Sequence, residues 1–156
     1  MPFLPPSTNA HYTGAPLAAH FLTLVGVLTI APGLVHAFLP DGGAGVIAGL
    51  DLSGNGAAVI GVFAWAGATQ IVWGASLLVA SRRYRSLVPP LLGLVLLERA
   101  LIALNLWLLK PSASGHQPPE AYATLVSLPL LLAALWLALR SPTPVPAAQP
   151  MQPRTR

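Results

Sequence analysis

Apolar residues in this chain come in long unbroken runs rather than in one-faced stripes. The runs cover approximately residues 17–39, 57–80, 87–109 and 121–139, and Gly, Pro and the charged residues collect between them. A helix rises about 1.5 Å per residue, so about 20 apolar residues match a hydrocarbon core about 30 Å thick. Strands of a membrane barrel would alternate apolar and polar positions over about ten residues, and these runs do not alternate. The pattern predicts an all-α integral membrane four-helix bundle. Residues 1–16 read as a flexible lead-in and residues 140–156 as a disordered, Pro-rich tail.

Composition agrees with the pattern, since hydrophobic residues make up 54% of the 156 positions and charged residues only 8%, against about a quarter charged in soluble domains. The net charge of +4 does not signal nucleic acid, because the basic residues are sorted by membrane side instead of being gathered around aromatic platforms. Arg82, Arg83 and Arg85 lie between the second and third spans, and Arg140, Arg154 and Arg156 follow the fourth. The other side holds Lys110 with the acids Asp41, Asp51 and Glu120. Short loops rich in Lys and Arg stay in the cytoplasm. Both termini are therefore expected there, with loops 40–56 and 110–120 outside. A secretory-signal reading of the first run, ending in "LVHA" at Ala37, is weakened by a lead-in that has no Lys or Arg.

The absence of Cys excludes disulfides, thiolate metal sites and thiol redox chemistry. No motif encodes a recognisable cofactor, so any cofactor is unknown at this level. No pair of His at helical spacing suggests a metal. The Gly-rich loop after the first run lacks the Lys and the strand-to-helix context of a phosphate cradle, and reads as a flexible outer hairpin.

Chemistry concentrates in the third run, "LLGLVLLERALIALNLWLL", where Glu98 and Arg99 stand side by side near the middle. A charge at that depth costs about 2.5–3.5 kcal/mol on insertion scales, so neither residue faces lipid comfortably. Glu98, Ile102 and Asn105 share one helix face and Arg99 is turned about 100° away. Arg99 is thus expected to pair with Glu98 only obliquely, or to reach carbonyls freed by Pro32 or Pro129 in other spans. Gln70 in the second span and His36 in the first reach compatible depths. These five residues, Glu98, Arg99, Asn105, Gln70 and His36, form the candidate site, a polar crevice tapering inward from the outer face with Asp41 and His116 at its mouth. Each also has a structural reading: an interfacial His36, interhelical amide bonds from Gln70 and Asn105, and a neutralised bridge between Glu98 and Arg99.

Helices in lipid gain little by hiding Leu, and close approach depends on small residues. In the second span Ala57, Gly61, Ala64, Ala68 and Ala75 fall on one stripe, with Gly67 and Gly74 adjoining it, and this is the expected packing face. Pro129 is expected to kink the fourth span, and Trp107 and Trp136 to anchor span ends at the interfaces.

Four short spans, a Gly-rich outer loop after the first, a small-residue second span ending in "SRRYRS" and a polar third span resemble, in layout over residues 17–139, the small bacterial inner-membrane proteins grouped as DoxX-like. The resemblance implies a multi-pass protein of the bacterial cytoplasmic membrane. Some members of that group accompany quinone-linked oxidoreductases, while the missing Cys argues against redox chemistry by this chain itself. The function expected is non-enzymatic: binding of a hydrophobic small molecule, or of a membrane partner that includes a second copy of the chain, within the lipid bilayer. A proton-coupled transporter module working as an oligomer through Glu98 is the alternative. A membrane enzyme acting on a lipid or quinone, with Glu98 or His36 as acid or base, is the second alternative.

Overall fold

A computed structural model describes residues 3–111 and 117–140 of the chain. Its helices are α1 (Pro16–Phe38), α2 (Gly56–Arg83), α3 (Val88–Leu104) and α4 (Pro119–Leu139), and α3 continues as a π turn over Asn105–Leu109. All four are long and apolar enough to cross a membrane, the third when counted over Arg85–Leu109. Their boundaries follow local chemistry. Pro occupies the first turn of α1, α3 and α4, where its missing N–H would have had no helical partner. At the other end of α3, the Asn105 side-chain amide donates to the Leu101 carbonyl at 2.9 Å, and the Lys110 N–H reaches back five residues to Asn105 O at 2.7 Å. This side chain competes for a carbonyl of the helical ladder, and the last turn widens. Pro129 lies within α4, which nevertheless runs as one helix from Pro119 to Leu139.

Successive helices run antiparallel. α1 packs along α2 and α3 along α4, α1 also touches α4, and α2 and α3 meet little beyond the short link that joins them. The α1–α2 seam is built on glycine. A Cβ added at Gly67 would lie 2.6 Å from Ala37 N and 2.7 Å from Gly33 O, and one added at Gly74 would lie 2.7 Å from Gly26 O. Gly26 thus meets Gly74 and Gly33 meets Gly67, two close crossings seven residues apart on each helix. The contact lies to one side of the stripe that spacing alone favoured: Gly61 has open space around it, and Ala57, Ala68 and Ala75 are exposed. Ala64 is half-buried.

The bundle is tight at one end only. Its core consists of Ala18, Ala19 and Leu22 of α1, Leu77 of α2, Val88, Leu92 and Val95 of α3, and Leu131, Ala134 and Ala138 of α4. All lie in the half next to Arg82, Arg83, Arg85 and Arg140. Residues 3–15, read from composition as a flexible lead-in, lie against this same end. Ser7 Oγ and Thr8 N donate to Arg83 O, and Asn9 Nδ2 donates to Arg82 O at 2.8 Å while its Oδ1 accepts from Arg85 N. The final carbonyls of α2, which have no helical donors, are capped by this segment. Arg83 and the Tyr84 hydroxyl also donate to Pro5 O. The Trp136 ring at this end carries the Arg140 guanidinium 3.1 Å above its centre, a cation–π contact.

Candidate functional site

The opposite half of the bundle is hollow. Its roof is the loop after α1, which turns on itself over residues 40–48. Asp41 organises it: Oδ1 accepts from Gly43 N at 2.8 Å, and Oδ2 from Gly45 N at 3.1 Å and Val46 N at 2.8 Å. Gly42 adopts φ +62°, and a Cβ there would meet Phe63 at 2.9 Å, so glycine serves both the turn and the contact. The Gly42 carbonyl accepts from His36 Nδ1 at 2.7 Å, and the His36 ring stands edge-on to Phe63. Donation from Nδ1 leaves the lone pair of a neutral ring on Nε2.

The backbone donors, Val46 first and then Gly43, hold the Asp41 carboxyl below its ordinary range, against a smaller opposing effect of desolvation. A depressed folded-state pKa contributes stability that is present above the unfolded value of about 3.9 and lost as pH falls through the folded value. Amide hydrogen exchange at Gly43 and Val46 is therefore expected to be unchanged from pH 7 to 5, apart from the intrinsic rate, and to lose protection below about pH 4. Protection that is already lost at pH 6 would contradict this role.

Beneath the roof lie two chambers. The outer one, about 410 Å³, is bounded by Val35, His36, Ile47, Val62, Phe63, Ala66 and Leu106. The inner one, about 330 Å³, lies between α1, α3 and α4 and is bounded by Phe21, Val25, Leu28, Thr29, Val95, Arg99, Ser127 and Leu131. Pro32, Gln70 and Glu120 border both. A third space, an open cleft of about 800 Å³ between α2 and α3, is lined by Trp65, Thr69, Trp73, Ser76, Leu94 and Glu98, and Gln70 borders it too. That cleft exists because α2 and α3 splay away from their link. It opens sideways, where a bilayer would place lipid chains.

Gln70 is therefore common to all three spaces. Among the described residues its amide makes no hydrogen bond, and Oε1 is buried without a partner. Thr124 Oγ1 is the other buried side-chain oxygen in this condition. An unsatisfied buried amide oxygen costs about 1–3 kcal/mol. The remaining polar groups are better provided for. Thr29 and Ser127 donate their hydroxyls to carbonyls of their own helices, Val25 O and Thr124 O.

Arg99 and Glu98 part company. Arg99 Nη1 donates to Glu120 Oε1 in the first turn of α4, making an ion pair across two helices rather than along one. Glu98 makes no ion pair or hydrogen bond among the described residues and faces the lateral cleft. The expected turn of about 100° between neighbours accounts for the divergence, but the carbonyls beside Pro32 and Pro129 are not the partners of Arg99. Asn105 bonds its own helix at Leu101 O and lines a separate shallow groove with Ile102 and Leu106. The structure thus gathers His36, Gln70 and Arg99 around the paired chambers, puts Glu98 in the cleft, and leaves Asn105 outside. Asp41 shapes the roof with its carboxylate, and His116 lies outside the described residues.

Sequence analysis placed Glu120 only among the acids of the outer side. Its position after "HQPP" suits the positive end of a helix dipole, and nothing local points to a cation more than 20 positions away. Trp107, expected as an interfacial anchor, is half-buried, donates from Nε1 to Ala121 O at 3.3 Å and meets Tyr122 edge-on. With Gln117 Nε2 donating to Leu106 O at 3.2 Å, it fixes the start of α4 against the end of α3. This holds Glu120 within reach of Arg99.

Comparison with known protein families, with curated proteins and with solved structures finds no match to this chain.

Proposed function

We propose that this multi-pass membrane protein binds a hydrophobic small molecule in the paired chambers, reached from the bilayer through the α2–α3 cleft. The observation that carries this reading is Gln70, which lines both chambers and the cleft and whose buried amide oxygen has no partner among the described residues. Ligand sites are typically apolar cavities of about 300–1,000 Å³ with a few convergent polar groups. The lining matches that description, with apolar walls and His36, Gln70 and the Arg99–Glu120 pair as its polar members. The test is to purify the full chain from its native membrane in mild detergent, extract it with solvent and analyse the extract by mass spectrometry. One amphipathic species enriched over bulk lipid, and lost in Gln70→Leu, is expected. Extracts of bulk-lipid composition from both proteins would refute the reading.

A second reading rests on Glu98. A carboxylate without a partner among the described residues, in a cleft that opens sideways in the bundle, suits a group that exchanges a proton, and a proton-coupled module working as an oligomer would use it so. Loss of gradient-driven uptake in Glu98→Gln would support this reading. Uptake equal to the parent protein would remove Glu98 from it.

For placement in the cell we infer the bacterial cytoplasmic membrane, with both termini inside and the roofed end of the chambers outside, and a DoxX-like affiliation on layout. The Arg-rich ends of α2 and α4 lie together, as this orientation requires. Reporter fusions at Arg83 and at the C-terminus are expected to signal cytoplasm, and one at Gly54 the outside. An external signal at Arg83 would invert the protein.

A further inference from the structure

We propose that an anionic phospholipid lies along the α2–α3 face at the Arg-rich end of the bundle, with an acyl chain in the groove between the two helices and its phosphate on Arg82. The groove is about 530 Å³ and is bounded by Val72, Ala75 and Val79 of α2, Tyr84 and Leu87 of the link, and Leu91 of α3. It shares no lining residue with either chamber, so the proposal stands apart from the reading of those chambers.

The groove suits hydrocarbon. Its polar members already have partners, since the Ser76 hydroxyl donates to Val72 O at 2.9 Å and the Tyr84 hydroxyl to Pro5 O at 2.9 Å. Val72, Ala75, Val79 and Leu87 are exposed, and in a spanning helix such a face meets lipid chains. From Val72 to Arg82 is ten positions of α2, about 15 Å of helical rise, or one leaflet of a hydrocarbon core about 30 Å thick. A chain that fills the groove therefore holds its head at the level of Arg82.

The head is set by charge. Arg82 is exposed and stands three and seven positions after Val79 and Ala75, on the face of α2 that walls the groove. Among the described residues its guanidinium makes no hydrogen bond or ion pair; only its backbone carbonyl is used, by Asn9. The neighbouring cations are engaged: Arg83 donates to Pro5 O, Arg85 Nε to Ser81 O, and Arg140 lies over Trp136. The last carbonyls of α2 already accept from Tyr84 N, Asn9 Nδ2, Thr8 N and Ser7 Oγ. The chain has four acidic residues and none is at this end, with Asp41 and Asp51 in the loop after α1, Glu98 in the middle of α3 and Glu120 in the first turn of α4. A second copy inserted the same way round would set Arg against Arg. A soluble acidic partner would engage Arg82 and leave the apolar groove beneath it empty. An anionic lipid occupies both, because a phosphate accepts charge-assisted bonds from a guanidinium while its chain runs down the groove.

The test reconstitutes the full chain in nanodiscs of equal parts phosphatidylcholine and phosphatidylglycerol with identical acyl chains, extracts it in mild detergent and weighs it intact with its bound lipid. Retained phosphatidylglycerol is expected to exceed phosphatidylcholine about fivefold, the effect of one Arg at an anionic surface. Arg82→Gln is expected to abolish that preference. Ala75→Phe, which fills the groove, is expected to lose the lipid with Arg82 still in place, while Arg140→Gln and Gln70→Leu keep it. Positions 75 and 82 are both exposed, so these changes leave the bundle's packing alone, and the parent's choice between the two lipids decides the head chemistry without any variant. Equal retention of both lipids by the parent would overturn the anionic head. Equal losses in Arg82→Gln and Arg140→Gln would replace the site with a diffuse effect of charge, and full retention in Ala75→Phe would take the chain out of the groove. A lipid lost in Gln70→Leu but kept in Arg82→Gln would belong to the chambers and sink the proposal, as would a parent protein that weighs as a dimer without lipid.

Discussion

Replacing Gly67 or Gly74 with Val is expected to separate α1 from α2 and to produce the largest loss of stability of any single substitution in the bundle. The added Cβ alone would lie 2.6 Å from Ala37 N at Gly67 and 2.7 Å from Gly26 O at Gly74. These are backbone atoms, so no side chain can rotate to make room, and the helices must move apart by an ångström or more. Overpacking costs about 1–3 kcal/mol where a core can adjust. A rigid seam between two helices belongs at or above the upper end of that range. The internal controls are Gly61 and Gly93, where an added Cβ meets nothing within 4 Å. Gly61→Ala and Gly93→Ala are expected to be neutral or slightly stabilising, since Ala is the better helix former by about 1 kcal/mol. Thermal unfolding of the four variants in one detergent checks the contrast. Equal stability of Gly67→Val and Gly61→Ala would show that the seam lies elsewhere.

The second large effect concerns the charges within the bundle. Arg99 is 17% exposed and Glu120 45%, so the pair stands between an exposed bridge worth about 0–1 kcal/mol and a fully buried one whose breakage costs about 3–5 kcal/mol. Glu120→Leu strands the more deeply placed partner and is expected to cost about 2–3 kcal/mol, near the insertion penalty of a central charge. Arg99→Leu leaves a carboxylate half open to its surroundings and should cost about 1 kcal/mol. The double variant should recover most of the loss, giving a coupling of about 1–2 kcal/mol in a double-mutant cycle. The parallel cycle on Glu98 and Arg99 is expected to show coupling near zero, because the two point into different spaces. Strong coupling of Arg99 to Glu98, with none to Glu120, would reverse the assignment.

These two effects differ in how far they could be read from the chain. Gly67 and Gly74 are visible in the sequence as small residues adjoining the stripe of Ala57, Gly61, Ala64, Ala68 and Ala75. Spacing gives each helix a set of faces but does not say which one a neighbour will choose. That choice needs the partner's own glycines, and Gly26 and Gly33 of α1 repeat at the same interval of seven. Read together, the two intervals identify the seam; read singly, neither does. Arg99 and Glu120 offer no such paired signal. A long cation can reach several turns of a neighbouring helix, and its partner depends on where α4 begins relative to α3, which Trp107 and Gln117 fix through contacts with Ala121 and Leu106.

What the sequence by itself determined is the class of the molecule. Run length, low charge and the absence of alternation dictate four spanning helices, because a backbone in hydrocarbon must satisfy its own hydrogen bonds. It also placed Gln70, Glu98 and Arg99 near mid-depth, since depth follows from counting residues along a helix. Tertiary structure decided the rest: that the bundle closes at its Arg-rich end and is hollow at the other, that the lead-in caps α2, and that Glu98 and Arg99 serve different spaces. Depth is a property of one helix, whereas rotation, tilt and the spaces left between helices belong to pairs of helices. A single pass along the chain contains the first and not the second.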